Sequence, residues 1–293
     1  MSRTVNRYDD AAAFLAAAGP LLLRREALNS LILGVARAQS RRAQPHRRRS
    51  ALYLTVDDAT GLAVAALSTA GGRLLLTEDI ALDKEALDTL VVELPALPRP
   101  LASVFAEAGL ARRFADCWSA ALGQPLRVVE RQRLLSLSAA TIPGQLPAGW
   151  LRPATVDEIE LLSGWLLAFQ TSTTHHDPGD QETTRLIVDG LVARRDLYVW
   201  AVGEDTLGRP VSMATRSRPT PHGIAISLVY TPPAERGHGY ATACVAHLSR
   251  ALLESGWQFC NLFVNVDTTA ADAIYRRLGY RPLADFSEYR LGF

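Results

Sequence analysis

Apolar positions in the first half of the chain change spacing several times, and each change marks a new predicted element. Residues 9–38 are rich in alanine and leucine at helical spacing. Three short runs of apolar residues then follow, separated by turn residues typical of hairpins. In chain order the pattern predicts a helix at 9–38, strands at 52–56, 62–67 and 73–77, helices at 83–93 and 103–122, and a strand at 126–137.

The pattern begins again after a segment rich in proline and glycine at 143–149. It predicts a strand at 150–153, helices at 156–169 and 183–194, strands at 197–202, 210–216 and 223–230, a helix ending at 253, a strand at 259–266, a helix at 269–278 and two short strands within 280–293. The element order of the two parts is similar. We therefore expect two α/β domains, 1–140 and 150–293, joined by a linker at 141–149.

Charge argues against binding to nucleic acid. The 293 residues carry 31 basic and 30 acidic side chains, for a formal charge of +1. Residues 1–140 hold 18 basic and 14 acidic residues (+4), and the remainder holds 13 and 16 (−3). One cluster of basic residues is either a basic arm or a solvated loop; it consists of Arg37, Arg41, Arg42, Arg47, Arg48 and Arg49. We favour the loop, because no aromatic residues lie between these arginines. The balance favours a protein that acts on something small.

Cysteine content and hydropathy indicate a cytoplasmic protein that is not held in a membrane. Cys117, Cys244 and Cys260 offer neither a disulfide framework nor the spacing of a zinc site, so we expect no metal. The apolar run at 11–23 follows two aspartates and contains Pro20, which favours a buried helix over a signal peptide. No other run reaches the roughly 20 apolar residues of a spanning helix.

The segment 228–242 carries the strongest candidate chemistry, since it is predicted to run from strand through turn to helix. Gly237 and Gly239 allow a sharp turn or a close approach to a ligand. The helix that follows presents unpaired N–H groups and a positive dipole end, which suits phosphate. The spacing fits neither a P-loop nor a dinucleotide fingerprint. By itself the glycine pair leaves open a phosphate site or a plain tight turn.

A second motif follows about 30 residues later. The predicted strand at 261–266 leads to Asp267, Thr268 and Thr269, which are able to cap the helix at 270–278. Tyr275 lies within that helix, and Gly279 closes it. Two spacings in this region resemble the two motifs of the GNAT superfamily of acyl-CoA-dependent N-acyltransferases. The first is formed by Arg236, Gly239 and Ala241, and the second by Thr268, Ala271, Ile274, Tyr275, Gly279 and Tyr280.

This resemblance implies a GNAT fold, a mixed α/β sheet, across residues 150–293. The whole chain is also similar to bacterial two-part members of the superfamily, whose N-terminal half is a degenerate GNAT-like domain. The resemblance implies that acetyl-CoA is the acyl donor and that Tyr275 is catalytic, protonating the departing CoA thiolate, although a core aromatic is the alternative role. The implied cofactor-binding residues are Leu228, Val229, Tyr230, Arg236, Gly237, His238, Gly239, Tyr240, Ala241, Thr242, Thr268 and Ala271. Thr268 departs from the asparagine usual in the family.

The resemblance implies an amine acceptor, a small molecule or a peptide. From charge and hydropathy we expect neither nucleic acid nor a membrane as a partner, and we expect a monomer or a homodimer. The general base stays open: His175, His176 and Asp177 lie between the two helices that usually border the acceptor site, and Ser227 and Glu160 are weaker candidates. Trp165 and Phe169 either line the acceptor pocket or pack in the core. The alternative function is an acyl-CoA-binding pseudoenzyme with a regulatory or structural role.

Overall fold

The computed structural model of the chain describes residues 3–41, 51–58, 61–69, 71–78, 84–96, 101–173 and 180–291. Its helices are α1 (Ala11–Arg24), α2 (Ser30–Ser40), α3 (Lys84–Glu93), α4 (Ala108–Leu122), α5 (Ile159–Thr173), α6 (Gln181–Ala193), α7 (Tyr240–Glu254) and α8 (Thr269–Arg277). Its strands are β1 (Thr4–Arg7), β2 (Tyr53–Asp58), β3 (Gly61–Ser68), β4 (Arg73–Glu78), β5 (Ser103–Glu107), β6 (Arg127–Leu137), β7 (Trp150–Pro153), β8 (Leu197–Val202), β9 (Arg209–Ser217), β10 (Gly223–Tyr230), β11 (Phe259–Asn265) and β12 (Arg281–Arg290).

The two halves repeat one order of elements, β-α-α-β-β-β-α-β-α-β, first from β1 to β6 and then from β7 to β12. Most predicted elements are present, but four differ. The predicted helix at 9–38 is two helices, and strand β1 was missed, because its four residues carry no apolar alternation. Residues 103–107 form a strand rather than the start of a helix. Because Ser103 to Ala106 are all buried, apolar and polar residues do not alternate along this strand, and the pattern does not distinguish it from a helix. The two short strands expected within 280–293 are the single strand β12, whose register shifts between Pro282 and Ala284.

All twelve strands form one sheet, in the order β1-β2-β3-β4-β5-β12-β6-β11-β10-β9-β8-β7. β6, the last strand of the first half, therefore lies beside β11 of the second half. β12, the last strand of the second half, lies beside β5 of the first half. β6 pairs antiparallel with β11, from Cys260 opposite Leu137 to Asn265 opposite Gln132. β12 likewise pairs with β5. The predicted linker divides the chain, but the two halves exchange strands and share hydrogen bonds across the division.

Each half contains one parallel strand pair that separates after a few residues. β10 and β11 are in register only from Gly223 opposite Phe259 to Ala225 opposite Asn261. Gly223 is required there by close approach, since a Cβ would lie 1.9 Å from the Phe259 ring. Beyond Ala225 the two strands diverge, and the sheet opens into a cleft. β4 and β5 show the same three-residue pairing in the first half.

Helices pack on both halves and bury most of the apolar side chains. α7 lies against β8, β9, β10 and β11, with Cys244 and Leu248 among its buried residues. α1 and α2 cover a cluster that includes Phe105 of β5 and Phe286 of β12. Within the described residues, no helix combines the length and the apolar character needed to cross a membrane. The core thus holds the diverging ends of β10 and β11 in fixed positions.

Candidate functional site

Strand β10 carries a bulge at the place where it leaves β11. Its register with β9 shifts between Ser227, which lies opposite Thr215, and Tyr230, which lies opposite Met213. Leu228 takes the left-handed conformation, with φ 51°, which is uncommon for a residue other than glycine. Leu228 and Val229 have no partner in the register with β9 or β11. The bulge thus takes their peptide groups out of the regular ladder, at the place where an extended ligand would enter the cleft.

The turn after β10 ends in an exposed helix N-terminus. Gly237 and Gly239 both have positive φ, 84° and 80°, which a residue with a side chain would adopt only with strain. The first helical hydrogen bond of α7 joins the Ala243 N–H to the Gly239 carbonyl at 3.0 Å. The N–H groups of Tyr240, Ala241 and Thr242 consequently have no acceptor inside the helix. This arrangement is suited to an anion at the positive end of the helix dipole, and it is the candidate anion site.

A cavity of about 570 Å³ lies over this turn. Its lining residues are Pro143, Gln145, Leu146, Pro147, Gly237, His238, Gly239, Thr242 and Arg277. The segment predicted only as a linker therefore forms one wall of the anion site. Arg277, at the end of α8, brings a cation to that wall. Arg277 is also one of the basic residues in the last turn of α8, where a cation suits the helix dipole.

Arg236 and His238 lie beside the turn but make contacts of their own. The Arg236 Nε donates a hydrogen bond to the Thr231 carbonyl at 3.1 Å, and its guanidinium lies 6.0 Å from the centre of the Tyr230 ring. The His238 ring stacks on Tyr240 with 5.4 Å between centroids. Arg236 thus fixes the entry to the turn, and the backbone supplies the free donors at its tip.

The cleft between the ends of β10 and β11 opens into a second cavity, of about 590 Å³. Val229, Phe263 and Asn265 line it from the strands, and Thr268, Ala271 and Tyr275 line it from α8. Burial raises the pKa of the Tyr275 hydroxyl to about 12, and the nearby Cys244 thiol adds to the shift. Because the phenol stays protonated at neutral pH, Tyr275 is able to donate a proton inside this cavity. Its ring also packs edge-on against Tyr280, with centroids 5.9 Å apart.

Thr268 holds the position at which α8 begins, but it does not cap the helix with its side chain. Its backbone N–H donates to the Asn265 carbonyl at 3.0 Å, and the hydroxyl makes no capping hydrogen bond within the described residues. The prediction that this threonine caps through its side chain is therefore wrong. The backbone around Thr268, with φ −99° and ψ 75°, lies outside the extended geometry of a typical capping residue.

The wall of the cavity opposite α8 comes from the N-terminal half. Its residues are Thr69, Gly71, Arg73, Ala102, Ser103, Glu130 and Gln132. Reasoning from the sequence missed all of them. They reach the site only because β6 lies next to β11, a pairing that no local motif indicates.

The remaining candidate residues separate into those at the cavity and those away from it. Phe169 lines the cavity, whereas Trp165 is buried beside the Tyr230 ring at 6.2 Å. Ser227 shares its hydroxyl with Thr215 and Ser217 at 2.9 Å each. Glu160 is exposed on α5, 4.0 Å from Arg185. His175, His176 and Asp177, together with Arg42, Arg47, Arg48 and Arg49, lie outside the described residues.

The described residues offer no metal site, and the cavity beside the parallel strand pair of the N-terminal half is small. They contain no group of three or more His, Cys, Asp or Glu side chains placed to hold a metal ion. In the N-terminal half, a cavity of about 40 Å³ lies where the pairing of β4 and β5 ends, and Ile32, Phe105 and Leu110 are among the residues that line it. The connection that corresponds to the glycine turn, residues 79–83, contains no glycine and lies outside the described residues.

Comparison with known families identifies the half that contains the cleft. Residues 162–280 match the model of the acetyltransferase (GNAT) family. This segment is therefore similar to a GNAT domain. The match includes the β10 bulge, the turn at Gly237 and Gly239, and Tyr275. Among curated proteins, no sequence matches the chain.

Solved structures share this GNAT fold along the whole chain. A GCN5-related N-acetyltransferase from Sphaerobacter thermophilus is 17% identical with a TM-score of 0.61, covering 99% of this chain and 95% of its own. A GNAT-family acetyltransferase from Colwellia psychrerythraea is 10% identical with a TM-score of 0.60, covering 99% and 100%. A tandem GNAT protein from the clavulanic acid biosynthesis pathway is 12% identical with a TM-score of 0.55, covering 99% and 98%. At these identities the likeness shows the fold, two GNAT-like halves in tandem.

Proposed function

We propose that the protein transfers an acetyl group from acetyl-CoA to a primary amine of a small molecule or peptide. One observation carries the proposal: the cleft left by the diverging β10 and β11 connects the unpaired bulge at Leu228 and Val229 with Tyr275. The anion site at the start of α7 follows directly from β10. A donor with a phosphate end, an amide arm and a thioester matches these three features in order.

The donor-binding part of the cleft relies on the backbone. The N–H groups of Tyr240, Ala241 and Thr242 would hold the pyrophosphate, and Arg277 would add a positive charge. The unpaired peptide groups of Leu228 and Val229 would hydrogen-bond the amide arm, as an edge strand pairs with an extended peptide. The fit supports the assignment because each donor or acceptor lacks a partner in its own element.

When bound, acetyl-CoA supplies an acyl group already activated as a thioester. The acceptor amine must lose a proton before it attacks, because a typical alkylamine is protonated at neutral pH. Tyr275 then donates the proton of its hydroxyl to the departing sulfur. Burial raises the pKa of this hydroxyl to about 12, so the phenol is protonated at neutral pH and hydrogen-bonds the sulfur as the proton is transferred. Phe169 and Phe263 exclude water from this part of the cavity.

The N-terminal half is proposed to hold no second donor site. The space beside its parallel pair is about 40 Å³, enough for a few water molecules, against about 590 Å³ in the other half. Its contribution is instead structural and local: it supplies β6 to the sheet beside β11 and one wall of the cavity.

A thiol-release assay with acetyl-CoA and a panel of primary amines tests the proposal. We expect amine-dependent release of free CoA by the wild-type protein. We expect a Tyr275→Phe variant to bind CoA with unchanged affinity and to release thiol more slowly. Binding of CoA without thiol release for any amine would instead support the alternative function, an acyl-CoA-binding pseudoenzyme. Failure to bind CoA would contradict both functions.

A further inference from the structure

The wall of the cavity that faces α8 contains a charged cluster to which the proposed reaction gives no role. Arg73 of β4, Ser103 of β5, and Glu130 and Gln132 of β6 all line the cavity. Glu288 of β12 lies behind them and is fully buried. These residues come from four strands that the exchange brings together. The cluster is therefore a product of the tandem arrangement, not of the GNAT domain alone.

The ion pairs within the cluster are unequal. The Arg73 Nε donates to Glu288 Oε1 at 3.0 Å, and its Nη2 pairs with Glu288 Oε2 as well, a bidentate contact. Glu130 Oε2 is 3.5 Å from the same Nη2, a longer contact. The other oxygen of Glu130 accepts a hydrogen bond from Gln132 Nε2 at 2.6 Å. Glu288 thus makes the shorter and more extensive contact with the Arg73 guanidinium, and Glu130 makes the longer one.

Glu130 presents its carboxylate to the cavity, and its contact with Arg73 is long. Glu130 is 9% exposed and lines the cavity, whereas Glu288 does not line it. Glu130 Oε2 lies 3.5 Å from Arg73 Nη2, while Arg73 Nε bonds Glu288 at 3.0 Å. A buried carboxylate in a long ion pair is stabilised when a cation approaches it. The position of Glu130 therefore favours a cationic ligand in front of it.

Ser103 provides independent support for a ligand at this wall. Its side chain is 3% exposed, and its hydroxyl has no hydrogen-bond partner in the described residues, yet it lines the same cavity. Buried hydroxyls are nearly always hydrogen-bonded, so an unpartnered one at a cavity wall indicates a position that a polar ligand fills. An ammonium group has three donors, enough to reach both the Glu130 carboxylate and the Ser103 oxygen.

We propose that Glu130 and Ser103 bind the acceptor nitrogen in its ammonium form, before this nitrogen gives up a proton to water and attacks the thioester, so that the acceptor is recognised by its positive charge. This proposal rests on the proposed function, because it places the acceptor in the same cavity as Tyr275. Phe169 and Phe263 line the space between the two walls and offer aromatic faces to the same cation. Glu130 is a binding residue in this scheme. The acceptor subsite then belongs to the N-terminal half, and the donor subsite to the C-terminal half.

Calorimetric titration with amines and their neutral counterparts tests this subsite without requiring turnover. The probes are putrescine and phenethylamine, each compared with the corresponding alcohol, butanediol or phenylethanol. We expect at least one amine to bind the wild-type protein, and its alcohol to bind at least about tenfold more weakly. Glu130→Gln keeps the shape and removes the charge; it should weaken amine binding at least about tenfold. Glu254→Gln, the same change on an exposed residue at the end of α7, should leave it unchanged.

Ser103→Ala provides a second variant that does not endanger the fold, since the hydroxyl has no hydrogen bond in the protein to lose. It should weaken amine binding about threefold or more while leaving the melting temperature unchanged. Amines that bind no better than the alcohols would overturn the proposal. So would a Glu130→Gln protein that is less stable but binds amines as the wild type does, because the cluster would then be only structural.

A parallel titration with CoA separates the two proposals. If CoA binds and the amines show no preference over the alcohols, the acceptor assignment fails and the donor site stands. If amine binding depends on Glu130 but CoA does not bind, the acetyl-CoA assignment fails instead. The two failures are therefore distinguishable in one set of samples.

Discussion

Replacement of Gly239 by alanine separates the stability of the turn from its ability to bind a phosphate. Gly239 begins α7 with φ 80° and ψ 9°. Gly123 ends α4 with nearly the same conformation, φ 68° and ψ 14°, far from the cleft. A Cβ on Gly123 would meet nothing within 4 Å, and one on Gly239 would meet only Pro147 Cδ at 3.6 Å. Neither substitution creates a clash, so Gly123→Ala is a matched control.

The two substitutions should cost similar amounts of stability. An alanine held in the left-handed conformation costs about 1 kcal/mol relative to glycine. Relief of that strain in Gly239→Ala would rotate the peptide groups that begin α7 and displace at least one N–H from the anion site. A hydrogen bond to a charged phosphate is worth about 1.5 kcal/mol or more, which corresponds to about tenfold in the dissociation constant for CoA.

Urea unfolding and calorimetric titration with CoA measure the two effects separately. We expect both variants to lose about 1 kcal/mol of unfolding free energy. Only Gly239→Ala should bind CoA about tenfold more weakly than the wild type. Equal CoA affinity for Gly239→Ala and Gly123→Ala would refute the placement of the phosphate at the start of α7.

Three further predictions concern the proton donor, the buried thiols and the exchanged strands. Tyr275→Phe should lower the turnover number about 100-fold without changing the CoA affinity, and the wild-type rate should not fall near pH 10, because burial raises the pKa of Tyr275 to about 12. Burial likewise raises the pKa values of Cys244 and Cys260 to about 12, so on raising the pH the unfolded chain loses these two protons before the folded protein does. The free energy of unfolding measured in urea should therefore be unchanged below about pH 8. At about pH 10.5 it should be lower by roughly 2 kcal/mol for each thiol. Neither fragment, 1–140 or 150–293, should fold alone, because β6 and β12 each pair with a strand of the other half. A mixture of the two fragments should regain CoA binding. A circular dichroism spectrum that shows either fragment folded by itself would contradict the shared sheet.

Local signals were enough to predict the strand, the glycine turn and the helix to which the donor is assigned. The predicted strand at 150–153 has the same bounds as β7, and the turn with Gly237 and Gly239 lies between a strand and a helix as expected. Such features depend on a few consecutive residues, because a positive φ or a helix end leaves a mark in the sequence. The GNAT family match over 162–280 covers the turn and the elements on both sides of it, but not β7.

The acceptor side could not be predicted in this way. Nothing in the residues of β6 specifies that β11 and β12 are its neighbours, since strand pairing between distant segments leaves no local pattern. Consequently no motif in the sequence singled out Glu130. The helix predicted over 103–122 also concealed β5, and with it Ser103. Side chains from both halves meet at the cavity only after the exchange of strands.

A crystal structure of the protein with CoA tests most directly the claim that the donor lies in the cleft between β10 and β11. We expect the pyrophosphate within hydrogen-bonding distance of the N–H groups at the start of α7. The pantetheine arm should run beside Leu228 and Val229, with the sulfur directed toward the Tyr275 hydroxyl. CoA bound beside β4 and β5 in the N-terminal half, or bound with its phosphates away from Gly239, would contradict the claim.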